Sequence, residues 1–332
     1  MQNVTFRLFT PADAPRLVEL QGRCLRISPD IGLIEAGFYH APAFEQGRNI
    51  LCAVDPQDRL LGYVAIYPHY VSKRLGARIL WTDVRVEPEL PQAESLRDTL
   101  LERAIVRAGE IRDASGQRVA LSATYFAEGR ASIDYLLSRG FTHYESSYLM
   151  RRDLAAPIPD MPRPQGVEVR HWRMETEAEQ RAYVEACNEA FQNDGRSLGE
   201  LQHFMQSPTW SVGTTITAFV GDKVAGSVMV YYDPMQPVNA ERSGATEWVF
   251  VLPQWRRRGV ARYLLREGLA YLQERGLDQA ELQVVSDNRQ ALALYEVVGY
   301  GVHQEEISLG LTLPWASAED DRRLATVHGR SP

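Results

Sequence analysis

The segment Val249-Phe250-Val251-Leu252-Pro253-Gln254-Trp255-Arg256-Arg257-Arg258-Gly259-Val260-Ala261 runs from an apolar strand into a helix. Val249, Phe250 and Val251 are β-formers. Pro253 cannot donate to a ladder, so the strand ends there. Leu264, Leu265, Leu269 and Leu272 then recur at helical spacing, as the packed face of a helix does. The first amides of a helix have no internal acceptors and, with the positive dipole end, form an anion site. Gly259 and Ala261 are small and allow close approach of a bulky anion. Arg256, Arg257 and Arg258 add charge, although their plainer reading is a solvated helix start. The segment has neither the G-K-[ST] of a Walker loop nor the three-glycine dinucleotide spacing. A second pattern follows: Asn288, Tyr295 seven residues later, and Gly299-Tyr300. Together they predict a site for a diphosphate-bearing cofactor, with a phenol beside its reactive end.

The 332 residues allow one to three domains, and 45% hydrophobic with 24% charged residues is ordinary for a globular protein. The net charge of −7 argues against a nucleic-acid partner. No apolar run of about 18 residues is present, so no membrane span is expected. Residues Met1 to Thr10 have no signal-peptide pattern. Cys24, Cys52 and Cys187 are far apart and lack CxxC spacing, which argues against a disulfide framework or metal site and predicts a cytoplasmic protein.

Residues 153–166 hold four prolines, which predicts an extended linker between two halves of similar length. The halves read as weak repeats. Val4–Phe9 and Val167–Trp172 open them. Val84-Arg85-Val86-Glu87-Pro88 matches Val249-Phe250-Val251-Leu252-Pro253, and Gly140-Phe141 matches Gly299-Tyr300. A last strand follows in each, Ser147–Arg151 and Ile307–Leu313. Alternating strands and helices indicate an α/β domain used twice. The expected boundaries are 1–152, the linker, 167–316 and a frayed tail over 317–332.

The C-terminal half resembles the GNAT (GCN5-related) acetyltransferase family over roughly Val167 to Leu313. The family pattern V-x-P-x-x-R-G-x-G-x-[GA] reads here V-L-P-Q-W-R-R-R-G-V-A, with Arg257 in place of one glycine. The second family pattern matches in full at Leu282, Val284, Asn288, Ala291, Leu294, Tyr295, Gly299 and Tyr300. The resemblance implies two tandem acyl-CoA N-acyltransferase domains with α+β mixed sheets and acetyl-CoA as co-substrate, without a metal. It implies that the amides around Arg257, Arg258, Gly259, Val260, Ala261 and Arg262, with Arg256 beside them, hold the diphosphate. The backbone of Val249, Phe250 and Val251 would pair with pantetheine like an added strand, Asn288 would touch the same arm, and Tyr295 would lie near the thioester sulfur.

Acetyl transfer to an amine needs a neutral nucleophile, a stabilised oxyanion and a proton for the leaving thiolate. A tyrosine hydroxyl, with a pKa of about 10, can supply that proton. Tyr295 is therefore the expected general acid, and the Val251 amide an expected oxyanion donor. Glu247, at the start of the strand, is the candidate base, with a solvated strand-end carboxylate as its plain alternative; Asp287 and His203 stand behind it. Gln283 occupies a position where peptide N-terminal acetyltransferases of the family often place a glutamate. The acceptor pocket is expected from Asn188 to Gly195 and from Tyr231-Tyr232-Asp233 onward, whose acidic and aromatic groups suit a small-molecule amine.

The N-terminal half departs from the pattern. Glu94 falls where a glycine should meet the diphosphate, Asp98 adds negative charge, and Leu136 stands at the tyrosine position with Tyr135 one place off. A non-catalytic half is expected, as in some tandem members of the family, mycothiol synthase among them. It would stand in for the second subunit of a homodimer or contribute to the acceptor pocket, and the chain would be a monomer or a homodimer. The alternatives are an acyl-CoA-binding regulator without turnover, another acyl group, or a protein acceptor.

Overall fold

The computed structural model describes residues 4–27, 34–191, 196–236 and 241–314. In chain order the regular elements are β1 (Thr5–Leu8), α1 (Ala14–Ile27), β2 (Ile50–Val54), β3 (Leu60–Ser72), β4 (Ala77–Val86), α2 (Ala93–Ser115), β5 (Val119–Phe126), α3 (Arg130–Ser138) and β6 (Thr142–Asp153). They continue with β7 (Glu168–Trp172), α4 (Glu177–Phe191), α5 (Leu198–Phe204), α6 (Pro208–Ser211), β8 (Thr214–Val220), β9 (Lys223–Tyr232), β10 (Ser243–Val251), α7 (Val260–Glu274), β11 (Gln279–Val285), α8 (Arg289–Val297) and β12 (Gly301–Thr312).

These elements make two compact units, one of Met1–Tyr144 with Ile307–Pro332, the other of Glu145–Glu306. The units differ from the linear halves because their last strands are exchanged. The first unit orders its strands β1-β2-β3-β4-β5 and then the end of β12. Leu309 and Leu313 are buried in its core with Leu121 and Ala104, and Leu313 N–H donates to Val119 C=O at 3.0 Å. The second unit orders β6-β11-β10-β9-β8-β7. There β6 pairs antiparallel with β11 from Ser147↔Val285 to Asp153↔Gln279. Sequence periodicity identifies both strands but carries no information on which sheet takes them.

The core of the second unit lies between its sheet and α7, whose Leu264, Leu265, Leu269 and Leu272 are fully buried. The opposite face is covered by α4, through Tyr183, Cys187 and Ala190. The proline-rich segment has no helix or strand, as its composition requires, yet it is anchored in this unit. Leu154 joins the α7 core, with Ile158 and Met161 packed beside it. The Arg152 guanidinium, from the buried side of β6, donates to the carbonyls of Val298 (2.8 Å), Asp153 (2.9 Å) and Pro157 (2.9 Å). It ties the proline segment to the C-terminal end of α8, where a cation is favoured. The tail over 317–332 lies outside the described residues.

A fragment beginning at Val167 lacks the strand that covers β11 and the fully buried Met150. It should be less stable by about 3 kcal/mol or more in urea denaturation than a fragment beginning at Glu145. Equal stability would show that the β6 pairing contributes nothing.

Candidate active site

The site is built on the parting of β10 from β11. The strands are parallel and in register for three pairs, Ser243↔Gln279, Gly244↔Ala280 and Ala245↔Glu281. Beyond them β10 runs on to Val251 and β11 to Val285 with no pairing between them. A bulge between Glu247 and Phe250 turns β10 away while it stays on β9 through Phe250↔Ser227 and Val251↔Gly226. Trp248 takes the extra position at φ +47°, a conformation uncommon outside glycine. Gly226 permits the close approach, since a Cβ there would lie 2.7 Å from the Phe250 oxygen.

Leu252 N–H donates to Ala225 C=O at 2.9 Å, toward β9. By strand alternation the amides of Val251 and Val249 face the wedge instead. At the apex the Tyr300 hydroxyl lies 2.6 Å from Thr246 Oγ1, which also donates to Glu281 C=O at 3.3 Å.

The turn from β10 into α7 has two residues with positive φ, Arg257 at 61° and Gly259 at 80°. Arg257 fills the place where the family pattern has glycine, and it accepts that backbone at a cost. Nothing lies within 4 Å of a Cβ on Gly259, so the space over it is open. Intrahelical bonding begins with Tyr263 N–H on Gly259 C=O at 3.1 Å, which leaves the amides of Val260, Ala261 and Arg262 to point outward. The three arginines differ. Arg256 donates to Val251 C=O (3.0 Å) and Ala190 C=O (2.8 Å), so it ties the strand end to α4. Arg258 lies over the Trp255 ring at 4.8 Å. Arg257 is exposed.

Asn288 is the N-cap of α8, its side-chain oxygen accepting from Ala291 N–H at 3.2 Å. Two turns on, Tyr295 is 7% exposed, its ring 6.2 Å from that of Tyr300. Burial pushes its hydroxyl up to about 12. Tyr295 belongs to the α7/α8 side of the sheet and Glu247 to the α4 side, so the two address the wedge from opposite faces. Burial raises the Glu247 carboxyl, while a hydrogen bond from Tyr231 and the charge of Arg196 pull it back toward ionisation. Arg196 also sits 3.9 Å over the Trp248 ring.

The acetyltransferase (GNAT) family pattern matches residues 170–300. That segment is a GNAT acetyltransferase domain. A mycothiol acetyltransferase of Geodermatophilus obscurus is 32% identical over 168 residues, 48% of this chain and 53% of that protein. One of Thermobispora bispora is 26% identical over 257 residues, 74% of each. The chain thus spans from about half to about three quarters of these curated relatives. A tandem GNAT protein from the clavulanic acid biosynthesis pathway superposes with a TM-score of 0.66 over 95% of this chain and 100% of that one, at 13% identity, a likeness of fold.

Several polar partners of the GNAT domain escape sequence reasoning. Arg196 and Tyr231 reach Glu247 only through tertiary packing. Gln283 donates to both oxygens of the buried Glu306, at 2.9 and 3.1 Å, so a carboxylate stands beside the position read as lacking one. Tyr231 and Tyr232 close β9, and Asn188 lies within α4. The remainder of that expected acceptor segment, residues 192–195, lies outside the described residues. His203 is on α5, and Asp287 is exposed just before α8.

Gly259→Ala should lower stability by about 1 kcal/mol, because alanine resists positive φ. Arg257→Gly should be nearly neutral, strain relief offsetting the added chain entropy. Urea denaturation compares the two, and equal losses would refute the strain assigned to Arg257.

Proposed function

We propose that this chain transfers acetyl from acetyl-CoA to the primary amine of a small molecule, by direct attack in a ternary complex. The wedge between β10 and β11 carries the reading: its free amides at Val249 and Val251 suit a strand-like amide ligand. The outward amides of Val260, Ala261 and Arg262, under the open space at Gly259, suit its diphosphate. Asn288, whose oxygen is committed to its helix, has its amide NH2 left to donate. The relatives named mycothiol acetyltransferase favour a small-molecule acceptor over a protein.

Glu247, whose carboxyl burial raises and whose charged form Tyr231 and Arg196 favour, takes a proton from the incoming ammonium through water when it is ionised. The amine nitrogen bonds to the thioester carbonyl carbon, and the Val251 amide donates to the developing oxyanion. The carbon–sulfur bond breaks, and Tyr295 gives its proton to the departing thiolate. A phenol held near 12 stays protonated through the neutral range, ready as an acid. The acylated nitrogen gives its remaining extra proton to the Tyr295 phenolate through water, and Glu247 releases its proton to solvent, so the net products are an amide, a free thiol and one proton.

Calorimetry should find a single acetyl-CoA site, abolished in Gly259→Glu. Two sites would show that the first unit also binds acetyl-CoA, and no binding would end the acetyltransferase reading. Tyr295→Phe should bind acetyl-CoA normally and lose about 100-fold in turnover; unchanged turnover removes it as the acid.

Glu247 works only when deprotonated, so kcat should fall as pH drops through its raised pKa. Arg196→Met removes a charge that lowers that pKa, and the acid limb should move to higher pH. A limb that stays put in Arg196→Met and Glu247→Gln excludes Glu247 as the base.

A further inference from the structure

Gln283 and Glu306 form a polar contact beside the wedge that has no role in holding the cofactor. Leu282 and Val284 belong to the core under α7, so strand alternation puts Gln283 on the opposite face. Glu247 addresses the wedge from that same face. The parallel register fixes their relation further. Ala245 pairs with Glu281, and two residues on, Glu247 and Gln283 are level but no longer paired. They stand on the two lips of the wedge, and Gln283 is exposed.

The Gln283 side chain is held from behind. β11 has β10 on one side and β6, then β12, on the other. Gln283 Nε2 donates away from the wedge, to the two oxygens of Glu306 on β12, at 2.9 and 3.1 Å. Glu306 is 8% exposed, and this amide is its one hydrogen-bond partner among the described residues. Glu281, on the same face of β11, is instead neutralised by Arg151 at 2.7 Å.

A buried carboxylate without a cation costs stability, and two apolar side chains would cover this stretch of sheet without that cost. What the pair does is fix one side chain. An ionised carboxylate only accepts, so it settles which way the Gln283 amide is turned. The carbonyl end, Oε1, is left on the wedge side and accepts from no described residue.

We propose that Gln283 Oε1 accepts a hydrogen bond from the attacking amine, and that Glu306 is the positioning residue that turns it to do so. The inference rests on the acetyl-transfer reading of the wedge. A neutral primary amine has two N–H groups and one lone pair. With one N–H held by Gln283, the lone pair is directed at a thioester carbon lying between the two lips. An amide cannot take the proton, so Glu247 removes it while Gln283 aims the nitrogen. Glu306 lies behind the amide and acts only through it.

The probe is hydroxylamine, whose nitrogen is unprotonated at neutral pH and which needs no fitted acceptor pocket. Its attack on acetyl-CoA gives acetohydroxamate and free thiol, and thiol release is the readout in the full-length protein. Gln283→Met should lower kcat/KM for hydroxylamine about tenfold, the worth of one hydrogen bond, with acetyl-CoA affinity unchanged in calorimetry. Glu306→Leu should lose as much, and the double variant no more than either, because all three remove one contact. Glu306→Gln keeps an oxygen for Gln283 Nε2 and should retain most of the wild-type rate. The double variant replaces both polar partners at once, so it keeps the test open if one single variant fails to fold. An unchanged kcat/KM in Gln283→Met, additive losses in the double variant, a Glu306→Gln loss equal to that of Glu306→Leu, or no wild-type transfer to hydroxylamine overturns the proposal. In that last case calorimetry separates the two readings: acetyl-CoA that still binds removes only the role of Gln283 and Glu306, and acetyl-CoA that does not bind removes the proposed function as well.

Discussion

A parallel pair of strands inside a sheet normally satisfies every backbone group along its length. Here β10 and β11 stop doing so after Ala245 and Glu281. The bulge at Trp248 makes the parting permanent, since β10 cannot return to register with β11 while Phe250 and Val251 remain on β9. Unpaired amides inside a sheet are costly unless water or a ligand takes them. A ligand with amides of its own fits that vacancy as a strand would. In the proposed reading, the wedge is what relates the helix start at Gly259 to the phenol of Tyr295.

The surroundings hold the wedge open from several directions. Tyr300 and Thr246 fix its apex by a buried hydroxyl pair. Arg256 holds the far end of β10 against α4. Arg152 binds the carbonyl of Val298, which caps α8, and the proline segment at once, and a Cβ on Gly299 would lie 3.0 Å from its Nε. Glycine at 299 thus serves two needs, the positive φ of 93° after the helix and room for the guanidinium. Because Arg152 comes from β6, the strand before the proline segment contributes directly to the placement of the helix that carries Tyr295.

What could be read from the sequence was what short stretches of backbone determine. Pro253, Gly259 and the leucines of α7 specify a strand end, a turn and a helix face by local rules, and Asn288 marks a helix start. The exchanged strands could not be read so, because Ile307–Leu313 and Ser147–Arg151 are equally apolar and either sheet would bury them. Arg196 and Glu306 were illegible for a similar reason: each meets its partner, Glu247 or Gln283, across a long separation in sequence and through packing alone. Arg257 marks the opposite limit. It breaks the glycine pattern, yet the backbone keeps the positive φ that the pattern encodes.

The first unit keeps the geometry of the scaffold but carries different charges at the corresponding helix start. Its β4 and β5 also part, after four pairs. The helix that follows, however, begins with Glu94 and Asp98, and both are drawn to Arg139 on the segment after α3, at 2.8 and 2.9 Å. Two carboxylates and their arginine occupy the region that an anion would need, and Tyr135 donates to Asp98 at 2.8 Å instead of standing over a wedge. Neutralisation by Arg139 removes the repulsion that two bare carboxylates would exert, but it leaves no net positive field for a diphosphate. Positive charge in this unit is instead buried at Arg85, on the face that α1 covers. The change from Phe250 to Arg85 at one sheet position thus replaces an apolar ring with a buried ion pair while the backbone of the fold stays the same.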